Sequence, residues 1–267
     1  MRNRAESDPP KPLPTQPTLR IASWNVHKCV GTDGRFDPGR IAEVIAEIGP
    51  DLIALQEVDR RFGRRIGLLD LGQMERRTGL TLLPASPLAD GHGWHGNAIL
   101  VRRGLARTLA LRRLELPGAE PRGALVTDLA VAGAGRLRVV AAHLGLLRRS
   151  REKQVRTILD AILDGGAAPP TLLLGDFNEW RMQSRGRCSL VGLESIFGRA
   201  PKMPDSFPSR LPLLALDRIL GFPRGLVGPV TTHHSALARV ASDHLPLVAV
   251  LRLAATMDPP QGLNVAA

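Results

Sequence analysis

Two stretches of this chain run through the same order of events, and that order leaves few folds open. In the first, an apolar run over residues 19–26 breaks into the polar group Asn25, His27 and Lys28, and a loop through Gly34 follows. Asp37 and Pro38 then supply a cap and a first-turn proline, and Ile41, Val44, Ile45 and Ile48 recur with the period of one helix face. Gly49-Pro50 closes the helix, and a second apolar run over residues 51–55 delivers Gln56, Glu57 and Asp59 at its end. In the second stretch residues 137–142 end at His143, and a helix from Ser150 carries Val155, Ile158, Leu159, Ile162 and Leu163 on one face. Gly165-Gly166 ends that helix, and residues 171–174 lead through Gly175 to Asp176 and Asn178. A strand–helix–strand crossover leaves its strands parallel, so each unit brings two polar tips out at one sheet edge, where open α/β sheets build their sites.

Shorter β runs cover residues 97–101, 108–116 and 124–131, the last joined to residue 137 by a Gly133-Ala134-Gly135 hairpin. Two more follow the second unit: 214–220, interrupted by Asp217, and 245–251, introduced by Ser242-Asp243-His244. Strands in succession without a helix imply antiparallel pairing. The expected fold is α/β, with two mixed β-sheets packed face to face and helices outside. Residues 181–213, rich in Arg, Pro and Gly, read as irregular. Residues 1–18, with five Pro, read as a disordered arm, 19–254 as one domain and 255–267 as a loose tail.

No run approaches the length of a membrane span and the N-terminus has no apolar signal core, so the chain reads as soluble, cytoplasmic and monomeric. Cys29 and Cys188 have no zinc-type spacing. The formal charge of +11 favours anionic partners, although only four of the 36 basic residues are Lys, and that bias toward Arg dilutes the step from basic to nucleic-acid-binding. Six Phe, three Trp and no Tyr argue against a stacking platform for single strands.

Asn25, Glu57, Asn97, His143, Asp176, Asn178, Asp217, Asp243 and His244 interrupt or terminate apolar strands, where a purely structural chain would place a hydrophobe or a turn former. Taken singly, each suits a cap or an exposed pair as well as a site. Taken together, the four carboxylates would crowd one cleft and need an answering cation. Oxygen donors without Cys favour a hard ion, Mg²⁺ or Mn²⁺.

The segments Ser23-Trp24-Asn25-Val26-His27, Leu55-Gln56-Glu57-Val58-Asp59, Gly96-Asn97-Ala98-Ile99-Leu100, Ala142-His143-Leu144, Gly175-Asp176-Phe177-Asn178, Leu216-Asp217-Arg218-Ile219 and Ser242-Asp243-His244-Leu245-Pro246 follow one another over residues 19–253. In that order they resemble the endonuclease/exonuclease/phosphatase superfamily, the fold of deoxyribonuclease I. The resemblance implies a four-layer α/β sandwich over residues 19–254, in which Glu57, with Asn25 nearby, holds Mg²⁺. It implies that Asp176 and Asn178 orient the attacking water and contact the phosphate, that His244 is a catalytic imidazole partnered by Asp217, and that Asp243 lies near the metal. His143 corresponds to a second histidine, and Asn97 and Arg122 to phosphate contacts. The implied activity is a Mg-dependent phosphoric-ester hydrolase, a phosphodiesterase before a monoesterase. Nucleic acid (abasic DNA included), a phospholipid head group and a phosphorylated metabolite all stay open as substrate, as does which histidine is acid and which base. A non-catalytic phosphate-binding scaffold is the alternative from another class. The residue types suit the chemistry on their own account, since diester hydrolysis needs a polarised phosphoryl oxygen, an oriented water and help for the leaving oxygen.

Two Arg clusters read as walls for substrate phosphates away from the scissile one. They are Arg60, Arg61, Arg64 and Arg65, and, at a helix start where cations oppose the dipole, Arg148, Arg149, Arg151 and Lys153. His92, His95, His233 and His234 read as solvated loop histidines, and Trp94 and Trp180 as core or rim packing.

Overall fold

Alternate side chains along each central strand enter two different cores, and this sets the layering. The computed structural model describes residues 17–60, 63–164, 168–181, 188–199 and 201–253. Its elements begin with β1 (Thr18–Asn25), α1 (Pro38–Ile48), β2 (Leu52–Gln56), α2 (Leu71–Thr78), β3 (Leu80–Leu82), β4 (Ala98–Arg102), β5 (Ala106–Leu116) and β6 (Arg122–Val131). They continue with β7 (Gly135–His143), α3 (Arg148–Leu163), β8 (Thr171–Asp176), α4 (Glu194–Phe197), β9 (Asp217–Phe222), β10 (Thr231–Thr232), α5 (Ala238–Ala241) and β11 (Leu247–Arg252). One sheet has the order β10-β11-β1-β2-β4-β3 and the other β5-β6-β7-β8-β9.

On β1, Leu19 and Ile21 enter the core between the sheets, whereas Ala22 and Trp24 face α1. On β8, Leu172 and Leu174 enter that same inner core, and Leu173 packs toward α3. Strands covered on both faces must be apolar throughout, which is why these runs show no polar alternation. Helices α1, α2 and α5 cover the six-stranded sheet and α3 and α4 the five-stranded one, giving the expected two mixed sheets inside an outer pair of helical layers. Each Leu or Ile so buried contributes roughly 1.5–3 kcal/mol.

Both strand–helix–strand units are present, with β1 parallel to β2 and β7 parallel to β8. Asp37 caps α1 through the Arg40 N–H, and Gly49 ends it in the left-handed conformation at φ 59°. The hairpin pairs Val131 with Gly135. Gly175 is required where β8 passes β7, because a Cβ there would lie 1.8 Å from the Ala142 carbonyl oxygen.

Some expectations need correction. Helix α3 begins at Arg148, and its buried face includes Arg151 and Gln154 while Leu163 is exposed. Strand β9 starts at Asp217, because Leu214 pairs instead with Phe207. Helix α2 and strand β3 were not foreseen, and α4 lies in the stretch read as irregular. Thr18 already pairs with Arg252 in β1. Residues 1–16 of the arm, the tail and Gly165-Gly166 lie outside the described residues.

Candidate active site

The parity that packs the inner core also lays out the site. Beyond its last inner hydrophobe each parallel strand gives a polar residue on the same face: Ser23 and Asn25 after Ile21, Gln56 after Ala54, His143 after Ala141, and Asp176 after Leu174. The antiparallel strands bring their starts to that edge, with Asn97 before β4, Arg122 opening β6, Asp217 opening β9, and Asp243 and His244 ahead of β11.

Asp176 is the hub, at 1% exposure. Its Oδ2 accepts a 3.0 Å hydrogen bond from Asn25 Nδ2, a polar joint between the two sheets. The same oxygen lies 3.4 Å from His143 Nε2 and 3.7 Å from His244 Nε2. Oδ1 accepts the Asn178 N–H at 3.0 Å. On its other side His244 holds Asp217 Oδ2 at 2.9 Å from Nδ1, and the Ser206 hydroxyl donates to that oxygen at 2.5 Å. Burial alone would lower the His244 pKa, but the Asp217 and Asp176 carboxylates outweigh it and push it up to about 10. His244 is therefore an imidazolium at neutral pH in this arrangement. The Trp24 indole N–H donates to its backbone carbonyl at 2.8 Å and fixes its place.

A second group gathers at Glu57. Lys28 Nζ lies 3.1 Å from Glu57 Oε2, and His27 Nδ1 lies 3.9 Å from Asp243 Oδ1. Arg122 Nη1 approaches both ring nitrogens of His143 at 3.0 Å, and its Nη2 donates to Glu120 at 3.0 Å. Among the described residues seven that are not glycine have positive φ, between 46° and 61°: His27, Lys28, Cys29, Glu57, Arg65, His95 and Asn178. His27, Lys28 and Cys29 form a 3-10 turn that follows β1, and the other four lie in loops. Such backbone costs roughly 1–3 kcal/mol per residue and collects at functional sites, where the surroundings over-determine it.

Of the residues expected in the site, Asn25, Glu57, Arg122, His143, Asp176, Asp217, Asp243 and His244 meet at this edge. Asn178 does so too, with its Nδ2 tied to the Leu144 carbonyl at 2.9 Å. Asn97 spends its amide hydrogens on the Trp94 and Gly123 carbonyls, at 3.1 and 2.9 Å, so it braces β4 against the start of β6 rather than offering a donor to phosphate. Lys28, His95, Glu120 and Ser206 were not assigned to the site from sequence, whereas Arg60 and Arg65, read there as a wall for substrate phosphates, do line the cleft. Lys28 and Glu120 could have been, from their places beside Asn25 and Arg122.

Other expectations fall away. Arg151, 2% exposed, donates to Glu179 at 3.1 Å, to Ser189 and to the Gly145 and Leu146 carbonyls; the anion answering the cations at the start of α3 is thus part of the protein. Arg148 pairs with Glu152, Arg64 pairs with Asp90, and Arg61 lies outside the described residues. His92 bonds the Leu69 backbone, and His233 and His234 bond Glu47 and Thr232. His95 is not solvated; its side chain is 5% exposed and lines the cleft with Arg60, Arg65, Lys28, Glu57 and Arg122. Trp94 packs against the inner core, and Trp180 is 47% exposed.

The donors fit a hard cation. Glu57 Oε2 is buried and accepts no hydrogen bond among the described residues, its neighbour being the half-exposed Lys28 ammonium, a displaceable charge. Asp176, Asp217 and His244 also place ligand atoms within 4.8 Å of one another, although His244 Nδ1 is already engaged by Asp217.

A model of the Endonuclease/Exonuclease/phosphatase family matches residues 22–244, and the chain belongs to that family, whose name is that of enzymes acting on phosphoester bonds. The uncharacterized protein YbhP of Escherichia coli is 28% identical over 249 residues, 88% of this chain and 97% of its own length. Two solved structures share the fold. D. rerio TDP2 complexed with a single strand DNA product is 20% identical, with a TM-score of 0.61 over 87% of this chain and 98% of its own. Bacteroides thetaiotaomicron mannosyl-6-phosphatase is 16% identical, with a TM-score of 0.63 over 86% and 98%.

Proposed function

We propose that this protein is a divalent-metal-dependent phosphodiesterase that hydrolyses an anionic phosphoester by in-line attack of water. The observation carrying this reading is the meeting of Asn25, His143 and His244 around the Asp176 carboxylate, with His143 also lining the cleft that holds Glu57. Glu57, with Asn25 nearby, would hold Mg²⁺ or Mn²⁺, which when bound polarises a phosphoryl oxygen and offsets developing charge.

The chain's own groups account for the remaining needs. Asp176, fixed by Asn25 and by the Asn178 N–H, orients the water and accepts its proton. His244, kept charged by Asp217, donates to a phosphoryl oxygen. Arg122 and His143 bind the phosphate beside it, and Asp243 with His27 closes the rim. Lys28, Arg122 and His244 each already face a carboxylate, so the charge balance suits a monoanionic diester better than a dianionic monoester.

DNA is the alternative substrate reading, supported by the net charge and by the DNA product held in the D. rerio structure, while the Bacteroides protein shows the fold serving a sugar phosphate. We place the protein in the cytoplasm and read it as a monomer; its two cysteines, Cys29 and Cys188, are free and buried, as suits a reducing compartment. Among the described residues no helix is long and apolar enough to cross a membrane.

The test is hydrolysis of bis(p-nitrophenyl) phosphate against p-nitrophenyl phosphate with Mg²⁺ or Mn²⁺, with chelator, and in Glu57→Gln. The diester should be preferred, chelator should abolish turnover, and the substitution should lower it on the order of 10²-fold. Activity surviving both overturns the metal assignment, and no turnover under any condition favours a binding scaffold.

A further inference from the structure

Beyond Glu57 the cleft wall carries Arg60 and Arg65, and neither has a carboxylate within ion-pair distance among the described residues, unlike Lys28, Arg64 and Arg122. Their loop is closed at its neck by the Asp59–Gly67 bridge and by the Arg60 N–H donating to the Ile66 carbonyl at 2.9 Å, which sets the two arginines near each other. The acid nearest in sequence, Asp59, lines the same cleft but is engaged by the His92 and Gly93 N–H groups at 2.7 and 3.1 Å, with no ion pair to either arginine. Arg65 Nη1 lies 3.5 Å from His95 Nε2, and its guanidinium sits 5.9 Å from the centroid of Trp94. Trp94 in turn holds the His95 ring edge-on at 4.7 Å. Arg65 and His95 both keep left-handed backbone, at φ 47° and 48°, His95 in the turn that Gly93 allows to close by passing against the Asn97 carbonyl.

Two guanidiniums with no carboxylate partner among the described residues, beside a buried imidazole that lies 3.5 Å from Glu115, on the wall of a cleft that ends at a phosphoryl site, have the chemistry of an anion subsite. We propose that Arg65, with Arg60 and His95, binds a second phosphate of the substrate, adjacent to the one being cleaved. The proposal rests on the phosphodiesterase reading and selects within it: the substrate is a phosphodiester bearing another phosphate, on a nucleotide strand or on a small polyol.

Two pairs of chromogenic p-nitrophenyl diesters, one built on a nucleoside and one on glycerol, each with and without a second phosphate, test it in the Mg²⁺-loaded protein. The native protein should favour the doubly phosphorylated member of at least one pair by about tenfold in kcat/KM, chiefly through KM. Arg65→Gln should bring that ratio close to one, and Arg149→Gln, an exposed residue on α3 outside the cleft, should leave it intact. Preference only on the nucleoside points to a nucleic acid strand; preference on both points to the phosphate alone. A native protein without preference, or a preference that survives Arg65→Gln, overturns the subsite. If no diester is hydrolysed, the catalytic reading fails first, and calorimetry with inorganic pyrophosphate decides the subsite separately. Binding lost in Arg65→Gln upholds it, and binding unchanged or absent in the native protein removes it.

Discussion

The units β1–α1–β2 and β7–α3–β8 share one topology and differ in how they hold their tips. In the first, His27, Lys28 and Glu57 keep 38%, 45% and 22% of their side chains in contact with solvent, and α1 is held by ordinary caps at both ends. In the second, His143 and Asp176 are 3% and 1% exposed and locked together, and the start of α3 is tied down by the buried Arg151–Glu179 pair. An open carboxylate can exchange its cation with water, whereas a sealed one keeps its hydrogen bonds and its proton balance. On the proposed reading, ion capture falls to the tips of the first unit and orientation of the water to those of the second, with the Asn25–Asp176 hydrogen bond joining them.

Asp176→Asn tests this division most severely. It should lower kcat on the order of 10³- to 10⁴-fold while the Mg²⁺ concentration giving half activity stays put; a collapse of metal affinity would erase the distinction between the sheets. Arg151→Met strands Glu179 in the interior and should cost about 3–5 kcal/mol in urea unfolding, with metal activation unchanged in whatever protein remains folded. Glu57→Gln should behave in the opposite sense, losing on the order of 10²-fold in kcat/KM, partly recovered by excess Mg²⁺, with little change in urea midpoint.

A subtler effect is pH-dependent. The folded His244 pKa, about 10, stands above the ordinary 6.5, so its contribution to stability is complete below about pH 6.5 and is lost as pH rises through 10. Urea midpoints of the metal-free protein should fall across that window, and His244→Asn should flatten the fall. The smallest change should come from Asp37→Ala, about 1 kcal/mol from loss of the α1 cap and none in turnover.

Much of this was readable from residues alone, because strands buried on both faces announce themselves as apolar runs and any polar residue ending one is conspicuous. Asn25, Glu57, His143, Asp176 and Asp217 all stood out in that way. Helix α2 did not, since Leu71–Thr78 is eight residues long and its apolar face holds only Leu71 and Met74. Strand β3, three residues long, is carried by its pairing with β4. Arg151 was lost among the many arginines; its burial depends on Glu179 and Ser189, distant in sequence. The place of His95 in the cleft depends on left-handed backbone, which no side-chain pattern encodes when the residue is not glycine.

One hydrogen atom in place of a methyl group has a mechanical consequence. With no side chain at Gly175, the two central strands of the five-stranded sheet draw close just before they deliver His143 and Asp176, residues paired directly across the ladder. The imidazole-to-carboxylate spacing is therefore set by steric allowance one rung upstream. A protein with alanine at that position would retain every reactive group and still have the pair pried open, so its turnover would fall although nothing that touches substrate had been changed.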